Sequence, residues 1–121
     1  MKAISVRQPW AWLILYAGKD IENRTWATNH RGPLLIHAGQ QRPTRADMEW
    51  CAAFRGKLSI DPPPKEALEY GAIVGQVELV DCVTQSKSCW WQGPVGWQLA
   101  KPKRMRPRPI AGRLGLFEVD L

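Results

Sequence analysis

Lys19, Glu22, Arg24 and Trp26 are the residues whose types and spacing point most directly to chemistry. A helix-like segment stops at Gly18 and a strand-like segment begins at Ile21. Alternate side chains of a strand share a face. Glu22, Arg24 and Trp26 are therefore expected on one side, with Ile21, Asn23 and Thr25 on the other. Lys19 stands at the mouth of this strand, three residues before Glu22. A carboxylate, a guanidinium, an indole and an ammonium on one face make a poor core surface and a good ligand surface. A strand start beside a turn is also a common place for a site. The plainer alternative is a solvated ion-pair patch, which contributes little.

A second chemical feature lies near the C-terminus. The formal net charge is +6. Six of the 17 Lys and Arg residues (Lys101, Lys103, Arg104, Arg106, Arg108 and Arg113) fall in one window that holds no acidic residue. Elsewhere eleven basic residues face eleven acidic ones, so the whole excess sits on this segment. A basic segment on a neutral body points to a polyanion partner; the alternative is a solubilising loop. Tryptophan is also over-supplied, with seven against two Tyr and two Phe. Indoles bury a large area, but seven exceed what one small core needs, so some are expected to be stacking platforms for bases.

The elements that position these groups form a single domain, 1–121. Met1 to Val6 predicts a strand, and Pro9 suits the first turn of a helix over Trp10–Ala17 that Gly18 ends. That helix is apolar nearly all round, hence expected to be buried. Pro33 to Ala38 predicts a strand pairing with Ile21–Trp26 as a hairpin, and His37 inside it reads as a satisfied core histidine. Thr44-Arg45-Ala46-Asp47 resembles a capping box opening a second helix, with Trp50, Cys51 and Phe54 as its buried stripe and Gly56 as its end. Lys57 to Pro64 is expected to be irregular, followed by a helical turn within Lys65–Tyr70.

Ile73 to Val83 alternates as a half-buried strand, in which Gly75 marks a bend or a close backbone approach. Thr84 to Gly93 is a polar loop carrying Trp90 and Trp91, at least one of them expected to be exposed. Val95 to Ala100 predicts another strand. The prolines at 102, 107 and 109 make Lys101–Pro109 an extended surface connection. Leu114 to Leu121 closes the chain, with Phe117, Val119 and Leu121 inward. The result is an α+β domain: a small twisted β-barrel of about six strands with two main helices.

No apolar run approaches the roughly 20 residues of a membrane span, and MKAISVRQPW is no signal peptide. Both point to the cytoplasm. Three cysteines without a CxxC favour reduced thiols. Cys82, Cys89, His30 and His37 match no zinc spacing, so no metal or cofactor is expected.

Three stretches, Ser5–Trp12, Gly18–Trp26 and His30–Ala38, resemble the ASCH domain family, which shares the PUA-like β-barrel fold. Its signature is GxKxxExR. Lys19, Glu22 and Arg24 fill the last three positions, while Ala17 stands at the glycine and Gly18 follows one place late. The resemblance extends through Gly75–Cys82 towards Gly112–Leu116. It implies a cleft between the barrel and the first helix, lined by the signature and binding RNA or another nucleic acid.

On that reading the contact set is Arg7, Gln8, Trp10, Lys19, Glu22, Arg24, Trp26, Arg31, Trp90 and Trp91. Lys19 and Arg24 meet phosphate, and the indoles stack on unpaired bases. Two other classes stand beside it. A metal-independent ribonuclease would use Lys19, Glu22 and Arg24, with Tyr16 or His30, as catalytic groups. A nucleoside amidohydrolase acting on a modified nucleoside, another activity of ASCH-like proteins, implies a threonine nucleophile where this chain has Glu22; Thr25 is expected on the opposite face. A protein-interaction module with a Trp-rich surface is the third.

Overall fold

The computed structural model describes residues 1–54 and 61–121. Six strands and two α-helices follow the order β1 (Lys2–Val6), α1 (Trp10–Tyr16), β2 (Ile21–Arg24), β3 (Gly32–Ala38), α2 (Arg45–Phe54), β4 (Ala72–Val83), β5 (Val95–Pro109) and β6 (Leu116–Glu118). The strands form one sheet in the order β2-β5-β4-β3-β1-β6, curled as a half-barrel. All neighbours are antiparallel except β1 and β3.

Strand placement follows apolar content. In β3, Leu34 through Ala38 are all buried, a run that needs cover on both faces and belongs in a sheet centre. Its partners are β1 and β4. The expected hairpin with β2 does not form: β2, four residues long with three of them polar, pairs with β5 at the sheet edge.

The inner face and α1 share one core: Ile14 and Leu15 of α1 pack with Val6, Ile36, Val77 and Trp97. Gly75 is what lets the helix approach. A Cβ there would lie 2.5 Å from Leu15 Cδ2 and 2.7 Å from the Lys103 carbonyl oxygen. On the other face Ala3, Leu35, Ile73, Phe117 and Val119 form a second cluster. Leu121 is exposed rather than inward. His37 is 1% exposed, with Nδ1 2.9 Å from Ser5 Oγ and Nε2 2.7 Å from the Ile110 carbonyl.

Two further expectations meet corrections. Lys101–Pro109 is extended and exposed as expected, but it is the second half of β5, paired with β4, and not a connection between elements. Among the described residues β5 has no neighbour on its outer side there, an edge position in which proline is tolerated. Trp90 is buried and Trp91 half-buried, so neither is fully exposed. The capping box is present: Thr44 Oγ1 accepts the Asp47 amide at 3.1 Å, and Asp47 Oδ2 accepts the Thr44 amide at 2.9 Å. The expected helix end at Gly56 lies outside the described residues, as does the start of the irregular run from Lys57. Among the described residues no helix is long and apolar enough to cross a membrane.

Candidate functional site

Lys19 is delivered by the end of α1. Ala17 closes the helix at an ordinary φ of −123°, and Gly18 turns the chain with a left-handed φ of +74°. Both the Ala17 and Lys19 amides bond the Leu13 carbonyl, at 3.0 and 3.1 Å, so the turn is wrapped onto the helix end. The glycine required by the turn thus sits at 18, one place after the signature position, and Lys19 still enters β2 from the turn.

Glu22 is the centre of the cluster. Its Oε1 lies 3.2 Å from Lys19 Nζ, and its Oε2 accepts from Arg24 Nε at 3.0 Å. Lys19 is 6% and Glu22 9% exposed. The Lys19 ammonium also donates to the Ile21 carbonyl. Arg24 Nη2 donates to the Ser5 carbonyl at 2.7 Å. Ser5 lies just past Ile4, where the pairing of β6 with β1 ends. The guanidinium therefore ties β2, at one edge of the curled sheet, to β1 near the other. Two cations share one carboxylate, so the cluster keeps a formal charge of +1 in a partly dry setting.

Above this cluster opens a cleft of about 240 Å³ lined by Arg7, Trp10, Lys19, Glu22, Asn23, Trp50, Trp90 and Gln92. Its wall is aromatic. Trp10 meets Trp50 edge-on with centroids 5.0 Å apart, Trp50 stacks on Phe54 at 4.8 Å, and Phe54 lies 4.5 Å from Trp90. Arg7 is held by Asp47 of α2 at 2.9 Å. Asn23 fastens the opposite wall: Nδ2 donates to the Trp90 carbonyl at 3.0 Å, and Oδ1 accepts the Gln92 and Gly93 amides at 2.8 and 3.0 Å.

Of the residues expected at the interface, Arg7, Trp10, Lys19, Glu22 and Trp90 line this cleft, with Arg24 held behind Glu22. The other four lie elsewhere. Gln8, 2% exposed, bonds the Trp12 amide and the Glu69 carbonyl. Trp26 lies beyond β2, so strand alternation does not carry it to the Glu22 side; its ring meets Trp97 edge-on at 4.8 Å. Arg31 pairs with Asp81 at 3.3 Å on the surface. Trp91 packs over Gly93 and Gly96, where a Cβ would come within 3.0 and 2.6 Å of the indole.

Three lining residues lie outside the expected set: alternation puts Asn23 on the far face, periodicity puts Trp50 in the buried stripe of α2, and Gln92 falls in a polar loop. Their common signal is the aromatic and amide character of segments that long-range pairing alone brings together.

The arrangement can grip an anion at Arg7 and Lys19, stack a flat ring on indole, and read polar edges with the Gln92 amide and the Glu22 carboxylate. The ASCH domain family model matches residues 4–116. Activating signal cointegrator 1 of Homo sapiens is 35% identical over 85 residues, and its namesake of Mus musculus likewise. Each match covers 69% of this chain and 15% of the relative, so the chain spans a small part of the proteins it resembles.

Proposed function

This chain belongs to the ASCH domain family, and from that premise we propose that it binds RNA, single-stranded or structured, with an unpaired base in the Lys19–Glu22 cleft. The observation that carries the reading is a charge-unbalanced Lys19–Glu22–Arg24 cluster whose buried Lys19 and Glu22 floor an indole-lined cleft. At about 240 Å³ the space is smaller than the ~300–1,000 Å³ of drug-sized pockets. It suits one extruded base with its phosphate at the rim. Arg7 and Lys19 supply the cationic donors, and Trp10, Trp50 and Trp90 the aromatic wall. Single strands and loops present the free base faces that an A-form duplex hides. The basic half of β5 adds a salt-sensitive, sequence-blind contribution.

Recognition is favoured over cleavage by the state of Glu22. Both of its oxygens are engaged by cations, so it serves as a fixed anchor rather than a free proton acceptor.

Fluorescence anisotropy with a labelled 12-nucleotide single-stranded RNA tests the proposal. Affinity is expected to fall as salt rises. Arg7→Gln and Lys19→Met should weaken binding, and Trp10→Ala should cost the roughly 1–3 kcal/mol of a stacked base. Melting curves on the same samples separate lost binding from lost folding. Binding indifferent to salt, or unchanged in all three folded variants, overturns the reading.

A further inference from the structure

α1 serves a second groove on another of its faces. Tyr16, its last residue, lines a space of about 350 Å³ with Glu69, Arg104, Met105, Arg106 and Pro107. Tyr16 is 37% exposed, and its ring is backed by Trp12, stacked at 5.4 Å with 21° between planes. An aromatic ring supported behind and flanked by two arginines is the combination that single-stranded nucleic-acid sites use.

The strand supplying those arginines is open along its outer side. β2 covers β5 at Val95–Gln98, and the Leu99 amide bonds the Asp20 carbonyl. From Lys101 onwards β4 is the one strand paired with β5 among the described residues. Lys101, Lys103, Arg104, Arg106 and Arg108 are all exposed along this edge. None of them has a carboxylate within ion-pair distance among the described residues, whereas Lys2, Arg7, Lys19, Arg24, Arg31 and Arg45 each have an acidic partner. Pro102, Pro107 and Pro109 remove backbone donors, so the edge is a poor template for an added peptide strand. Its cationic side chains are what remain to be read.

We infer that this groove is a second contact for single-stranded nucleic acid, a base stacking on Tyr16 and its flanking phosphates held by Arg104 and Arg106. The inference rests on the RNA-binding reading and extends it. Trp10 and Tyr16, at the two ends of α1, are separated by about 9 Å of helix rise, a span that a few nucleotides cover. One strand can then occupy the cleft and the groove together.

The test uses labelled single-stranded RNA of 3 and 12 nucleotides. The variants are Tyr16→Ala, Tyr16→Phe, the pair Arg104→Gln/Arg106→Gln, and Lys19→Met for the cleft. For the 12-mer, the double variant should flatten the log–log salt dependence by about 1.4, at about 0.7 per lost phosphate contact on a single strand. Tyr16→Ala should weaken binding by at least about fivefold, and Tyr16→Phe should retain it. The 3-mer, held by the cleft alone, should respond to Lys19→Met and not to the groove variants.

If the 12-mer binds and the groove variants change neither affinity nor salt slope, the groove is refuted and the cleft reading stands. If the wild type binds no RNA, both fall. Equal competition by poly-glutamate overturns the assignment in favour of an acidic protein partner. Self-association of the double variant with RNA binding intact shows that the charges only guard the strand edge.

Discussion

Glu22→Gln should destabilise the protein far more than Lys19→Met, although the two residues form one ion pair. The asymmetry follows from the sharing of one carboxylate. Glu22 reaches Lys19 Nζ at 3.2 Å through one oxygen and Arg24 at 2.9–3.0 Å through the other. Removing its charge leaves two cations facing each other across a neutral amide, one of them 6% exposed. Breaking a buried pair in this way costs about 3–5 kcal/mol, against about 0.2–1 for an exposed pair.

The lower end, about 3 kcal/mol, applies because the pair borders a cleft that admits water. For a chain of this size that is a fall in Tm of roughly 10–15 °C. Lys19→Met leaves Glu22 paired with Arg24, so its cost should be about 1 kcal/mol. The double variant should be more stable than Glu22→Gln alone, since the stranded ammonium is gone. Urea unfolding followed by tryptophan fluorescence measures all three. A Glu22→Gln cost below about 1 kcal/mol, or a double variant worse than the sum of the singles, would refute the buried-cluster argument.

Gly75→Ala should cost about 1–3 kcal/mol by overpacking, read as a lower Tm, because the new methyl meets Leu15 and the immovable Lys103 carbonyl. An unchanged Tm would show that α1 can lift off the sheet freely. Asn23→Ala removes three bonds to the 90–93 backbone. Amide exchange should accelerate at Trp90–Gly93 and tryptophan emission should shift to the red, while β3 stays protected. Burial, and secondarily Asp47, push the Cys51 thiol up to about 11. The nucleophile is the thiolate, and a raised value keeps the neutral thiol dominant below that pH. Iodoacetamide at pH 8 should therefore label exposed Cys89 well before Cys51, and equal rates would contradict the assignment.

Local patterns proved readable where one element decides its own state. The Thr44–Asp47 cap, the α1 stop near Gly18 and the Ile73–Val83 strand are set by neighbours in sequence, and each stands close to where its residues place it. Partner choice was not readable in this way. Nothing local says that β2 crosses to β5 while β3 takes the centre; that depends on which strand has two apolar faces to cover. The basic half of β5 misled for a related reason. Proline argues against a central strand, but among the described residues the outer side of this half of β5 carries no ladder, and that edge position is a property of the whole sheet. Gln8 shows the same limit at the level of one residue: the family resemblance places it in the contact set, whereas its amide is consumed by Trp12 and Glu69.

The signature itself now has a physical account. Arg24, two residues beyond Glu22 on the same strand, reaches one carboxylate oxygen from along β2. Lys19, three residues before Glu22 and outside the strand, reaches the other from the turn. Arg24 Nη2, beside the same carboxylate oxygen, also donates to the Ser5 carbonyl, so one residue orients the carboxylate and ties β2 to β1. The spacing therefore does two jobs. It ties β2 to β1 across the half-barrel, and it leaves one cation in excess beside the cleft, which is the feature the proposed RNA phosphate contact rests on. A threonine in place of Glu22 would remove the shared anchor and leave both cations without a counter-charge.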